Sequence, residues 1–94
     1  MRLNDANALS LLRDIAKDSA KVIFTPHARK RMRQRKITPM QVITCLQNGI
    51  VSEPVALDAH GYWKLTVARR VAGKDLNVAV SIDVPSRALI ITVF

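Results

Sequence analysis

The apolar residues of this chain change their spacing once, at Gly49, and that switch constrains the fold more than any motif does. Before Gly49 they recur every three to four positions; after it they alternate. The first spacing lines one face of a helix, the second one face of a strand. Neither layer can hide its apolar side alone, so the two halves must pack on each other. The expected fold class is therefore α+β, with two or three N-terminal helices on a three- to four-stranded antiparallel sheet. Ninety-four residues suit one domain. A chain of this length buries roughly 60–65% of its unfolded surface, enough for a single thin core.

In the first half, Ala8, Leu9, Leu11, Leu12, Ile15 and Ala16 fall on one side of a helix that Asn4 or Asp5 can cap and that ends near Asp18 or Ser19. This helix is equally suited to pairing two copies in a homodimer or to bracing the sheet. Residues 21–24 form either a brief strand or an extended connector. Thr25-Pro26 and Thr38-Pro39 repeat one grammar, an N-cap followed by a first-turn proline, the second with Gln41 at the capping-box position. They predict helices over 26–35 and 39–48, a turn at Lys36-Ile37, and a left-handed cap at Gly49. Val42, Ile43 and Leu46 supply the buried stripe of the last helix, with Met40 or Cys45 at its margin.

In the second half, residues 51–57 read as an edge strand, because Pro54 would interrupt a central one. Residues 58–61 turn the chain. Trp63, Leu65 and Val67 then alternate with Tyr62, Lys64, Thr66 and Ala68. Residues 72–74 make the next turn, Leu76, Val78, Val80 and Ile82 alternate again, and 83–87 connect to a final run, 88–94, apolar enough for the interior of the sheet.

Composition then narrows the function. Fifteen Lys and Arg against seven Asp and Glu leave a net charge of +8, which favours an anionic partner. Cys45 is the only cysteine, so an intrachain disulfide is excluded. His27 and His60 lie far apart with no Cys or carboxylate at ligand spacing, so neither a metal nor another cofactor is expected. No apolar run approaches the roughly 18 residues of a membrane span. Asp5, Asp14 and Asp18 are unlike a signal peptide, and the expected location is the cytoplasm.

The informative segment is 27–36. Six cations, Arg29, Lys30, Arg31, Arg33, Arg35 and Lys36, occupy eight positions, and no acid occurs between Asp18 and Glu53. A charged helical face is usually solvated surface, but such faces mix signs, and this one does not. His27, Arg31 and Arg35 are four apart and form one row, with Ala28 and Met32 on the adjoining, inward row. An imidazole beside two guanidiniums suits metal-free RNA cleavage. The 2′-hydroxyl attacks the neighbouring phosphorus, a base takes its proton, an acid protonates the 5′-oxygen, and cations stabilise the phosphorane. His27, Arg31, Arg35 and Thr92 are the catalytic candidates, expected to face a common cleft. Arg29, Lys30, Arg33, Lys36, Tyr62, Lys64 and Arg70 are candidates for RNA contact. Trp63 reads as a core anchor rather than a stacking platform, Cys45 as a small buried hydrophobe, and His60 as a turn residue.

The run from Phe24 through Thr25-Pro26-His27-Ala28 to Arg31, Arg35 and Ile37-Thr38 resembles the signature of a widespread family of small bacterial domains of unknown function, grouped with the RelE-like and barnase–EndoU–colicin ribonuclease toxins. The resemblance covers about residues 22–94 and leaves 1–20 as a helical extension. It implies a RelE-like fold, with His27, Arg31 and Arg35 at the family positions on the helix and Thr92-Val93-Phe94 matching the terminal strand. Two residues depart from the pattern: Phe94 replaces a common tyrosine, and Lys36 replaces the glycine before Ile37. The resemblance implies a metal-independent endoribonuclease of toxin type with an acidic antitoxin as partner. The alternatives are a non-catalytic module binding nucleic acid or an acidic protein, and a structural or adaptor domain whose charge is incidental.

Overall fold

The computed structural model describes residues 4–71, 73–83 and 87–94. Helix α1 runs over Asp5–Ala16, with the Asn4 side chain accepting the Asn7 N–H at 2.7 Å. It stops two residues short of the expected end because Asp18 caps a separate 3₁₀ turn over Ser19–Lys21. The short strand β1, Val22–Phe24, follows. Helices α2, Pro26–Arg35, and α3, Pro39–Asn48, begin and end where the two Thr-Pro caps predict. Strands β2 (Ile50–Leu57), β3 (Trp63–Val71), β4 (Lys74–Asp83) and β5 (Arg87–Val93) complete the chain. Ala72 and residues 84–86, in the two connections expected around β4, lie outside the described residues.

The sheet has five strands in the order β1-β5-β4-β3-β2 and is mixed, not the three- to four-stranded antiparallel sheet expected from the alternation. The difference is β1. Val22, Ile23 and Phe24 pair in parallel with Ala88, Leu89 and Ile90, and three residues are too few for alternation to declare a strand. The other pairings are antiparallel. Strand β2 is the opposite edge, as Pro54 requires, and its register shifts around that proline between Glu53 and Ala56. Strand β5 lies inside the sheet, between β1 and β4.

One core joins the layers. Ala8, Leu12 and Ile15 of α1, Ala28 and Met32 of α2, and Val42, Ile43, Cys45 and Leu46 of α3 meet Leu65, Val67, Leu76, Val78, Val80, Ile82, Ala88, Ile90 and Val93. Met40, placed at the margin of the α3 stripe, is exposed instead, and Cys45 takes the inner position. Trp63 is half-buried against the core.

Helix α1 braces this assembly. Asp5 accepts the Val55 N–H of β2 at 2.7 Å, Gln47 of α3 donates to the Ala16 carbonyl at 3.1 Å, and Arg13 donates to the Gly49 carbonyl at 3.3 Å. Gly49 does not take the expected left-handed conformation; its backbone is extended, with φ −78° and ψ 179°. Glycine is needed there for space. A Cβ would stand 2.5 Å from the Cys45 carbonyl oxygen and 2.7 Å from Val67 Cγ1. Close backbone approach, not positive φ, makes this position glycine.

Candidate nucleic-acid interface

Helix α2 is positioned from its N-cap. The Thr25 hydroxyl accepts the Ala28 N–H at 3.2 Å and donates to the Ile90 carbonyl of β5 at 2.7 Å. One side chain thus starts the helix and ties it to the sheet, two residues before His27. In the sequence Thr25 is legible as a cap; its second bond depends on β5 lying beside β1. At the other end Lys36 adopts the left-handed conformation, φ 55° and ψ 47°, and the Ile37 N–H closes on the Met32 carbonyl at 2.9 Å. Glycine normally makes this ending. A lysine there carries a backbone cost of roughly 1 kcal/mol.

Ala28 and Met32 turn inward as expected, and the charges distribute around them. Arg31 and Arg35 are half-buried along one flank, with His27 exposed at the start of the same row. Arg29 leaves on the other flank, its guanidinium 5.8 Å from the Phe24 ring centroid, while Lys30, Arg33 and Lys36 are exposed. The ion pairs among the described residues are Lys17–Asp14, Lys64–Asp58 and Arg87–Asp83, so none of the six cations over Arg29–Lys36 is neutralised by a carboxylate. Arg31 donates to Gln34 at 3.2 Å. Arg35 lines a small pocket, and its Nη1 is sealed from water with no acceptor. Leaving such a donor unpaired costs about 1–3 kcal/mol. His27 has no hydrogen bond among the described side-chain contacts, to Arg31, to Thr92 or elsewhere.

Thr92 is not brought to this row. Strict alternation from Ala88 and Ile90 would turn residue 92 toward the helices, but the β4–β5 register shifts between Ala79 and Val80. Val80 pairs with Ile90 and Ala79 with Thr92, leaving Ile91 as the extra residue. The bulge sends Val93 into the core and Thr92 to the face opposite the helix layer. There its hydroxyl lies 3.4 Å from the Val93 carbonyl. Phe94, exposed, pairs through its backbone with Asn77.

Lys64 and Arg70 share that open face with Thr66 and Ala68, and Tyr62 is exposed just ahead of the strand, so the candidates for RNA contact on β3 lie across the sheet from those on α2. Several of the sheet charges are already engaged. Lys64 pairs with Asp58 at 3.3 Å, the Thr66 hydroxyl donates to Glu53 at 3.1 Å, and Arg70 sits opposite Asp75 in the register. Two open hollows, of about 280 and 350 Å³, lie on this side, one around Glu53, Thr66 and Ile91 and the other around Ile50, Arg70 and Asn77.

Two titratable groups are perturbed for structural reasons. Burial pushes the Cys45 thiol up to about 11, so near neutral pH it stays protonated and is no nucleophile. The Asp58 carboxyl is held below the usual carboxylate range, first by the Tyr62 N–H, then by the His60 N–H and Lys64. These bonds, at 2.9 Å to Tyr62 and 2.8 Å to His60, build the turn that carries His60. The described residues contain no grouping of three or more His, Cys, Asp or Glu suited to a metal. No helix among them is long and apolar enough to cross a membrane.

No curated protein and no solved structure matches the chain. One family model does, over residues 24–94, from the last residue of β1 through α2, α3 and the rest of the sheet, leaving α1 outside. The segment that carries the basic helix, its strand-end threonine and the sheet beneath it therefore belongs to the family described as a domain of unknown function, DUF4258, and the chain is a member of it.

Proposed function

We propose that this chain is an RNA-binding module whose contact surface is the exposed face of α2. The observation that carries the reading is the cluster of six cations over Arg29–Lys36, none of them paired with a carboxylate among the described residues. Like charges one turn apart repel by a few tenths of a kcal/mol per pair, and a phosphate backbone removes that repulsion. The helix face is convex and fully presented to solvent at Lys30 and Arg33, which suits tracking a backbone better than enclosing a reacting phosphate.

The toxin-type reading, metal-independent cleavage of RNA held in check by an acidic antitoxin, is second. It is favoured by His27, which is exposed, whose side chain makes no hydrogen bond among the described residues, and which lies one turn from Arg31. It is weakened by Thr92 lying across the sheet and by Phe94, which has no phenolic proton.

Titration of a labelled single-stranded RNA between about 50 and 200 mM salt tests the first reading. With three or four phosphates neutralised, log K should fall with log salt at a slope of about −2 to −3. Replacing Arg29, Lys30 and Arg33 together by Gln should flatten that slope by about 2. Affinity that ignores both salt and these changes sinks the proposal, and binding confined to acidic proteins replaces it with the protein-partner reading. Incubating the same RNA with EDTA separates binding from cleavage. Cutting that vanishes in His27→Ala establishes the second reading.

A further inference from the structure

We propose that the pocket between the end of α2 and the β3–β4 hairpin is a binding site for a phosphate group. Its cationic lining comes from segments far apart in the chain: Arg35 from α2, Lys36 from the following turn and Lys74 from the start of β4. Gln41 of α3 adds an amide whose orientation is set, because its Oε1 already accepts the Thr38 N–H at 2.9 Å. That bond leaves the NH₂ of Gln41 to donate. The polar residues lining the pocket are thus three cations, one oriented amide donor and Asp75, which forms no ion pair with any of the three and whose register partner Arg70 places its carboxylate toward the opposite face; Ile37, Val71 and Leu76 complete the lining.

Two further observations concern the lining. Arg35 is half-buried, with its Nη1 packed out of reach of water, so the guanidinium is held at the pocket and not free in solvent. Lys36, beside it, is the one non-glycine residue with positive φ among the described residues. A strained backbone that keeps a charge at the rim of a cationic pocket is the pattern expected where a ligand compensates the strain. Size selects the ligand. The pocket holds about 80 Å³, well below the roughly 300 Å³ at which pockets for drug-sized molecules begin, so it takes a phosphate group and not a nucleoside. Planar guanidinium donors and point-charge lysines are the side chains that recognise that group. The site lies on the flank of α2 away from Arg29 and does not rest on the RNA reading.

Inorganic phosphate, titrated against chloride at matched ionic strength, is the probe, followed by ¹H–¹⁵N correlation spectra of the full chain. Saturable shifts confined to amides 35–37, 41 and 73–76 are expected. Arg35 is half-buried, so the variants are made at Lys74 and Asp75, both exposed. Lys74→Ala should weaken phosphate about two- to fivefold, and Asp75→Asn should tighten it by a similar factor. Shifts that chloride reproduces, or that Lys74→Ala leaves unchanged, overturn the site. A competition between oligoribonucleotides with and without a terminal phosphate then assigns the source. Preference for the phosphorylated end makes it an RNA terminus, and equal competition makes it a free anion. Loss of RNA affinity in the α2 glutamine variant with phosphate shifts intact would break the RNA surface apart from this pocket.

Discussion

Helices α2 and α3 have the same length and the same Thr-Pro beginning, yet they are held in opposite ways. Helix α3 buries Val42, Ile43, Cys45 and Leu46 and carries no charge. Helix α2 buries only Ala28 and Met32 and carries six cations counting Lys36 at its end. Capping chemistry decides where a helix starts; it does not decide what the helix is for. Burial holds α3 against the sheet, whereas α2 depends on two inward side chains and on the bond from Thr25 to Ile90. A helix so lightly packed leaves most of its surface free for a ligand, and that is the physical ground for placing function on α2.

The difference between the two helices is largest in the core. Leu46→Ala should cost about 3–5 kcal/mol and Met32→Ala about 2 kcal/mol, both within the range for emptied core sites. Denaturant unfolding of the two variants measures the difference, and equal losses would make α2 as much a core helix as α3. The caps sharpen it further. Thr38→Val removes a capping box and should cost about 1 kcal/mol. Thr25→Val removes a cap and the tether to β5, for about 2 kcal/mol. The same unfolding curves check the order. The smallest effect is a gain. Lys36→Gly relieves the left-handed lysine and should stabilise by about 0.5–1 kcal/mol, while reducing phosphate binding in the pocket beside it. A loss of stability instead would show that the Lys36 side chain contributes more than its backbone costs.

Much of this architecture was legible in the residues. Both Thr-Pro helices, the edge position forced by Pro54 and the interior position of the last strand follow from local chemistry that tertiary contacts did not override. Three features were not legible. Strand β1 is too short to show alternation, and its parallel partner is more than sixty residues away. Gly49 is glycine because the Cys45 carbonyl at the end of α3 and atoms of β3 close on it together in the folded chain. Thr92 left the helix side through a one-residue bulge, which no pattern of apolar residues announces.

For the candidate site the division is similar. The sequence alone determined that α2 would be a basic helix with Ala28 and Met32 inward, because helical geometry places residues four apart on one row. It determined the absence of acids along that row as well. Only the tertiary structure decided which face of the sheet each strand residue would occupy. It thereby split Lys64, Arg70 and Thr92 from His27, Arg31 and Arg35, and brought Lys74 beside Arg35 and Lys36. Spacing along one element is a local property; the distance between two elements is set by how the layers pack and by where a strand slips register.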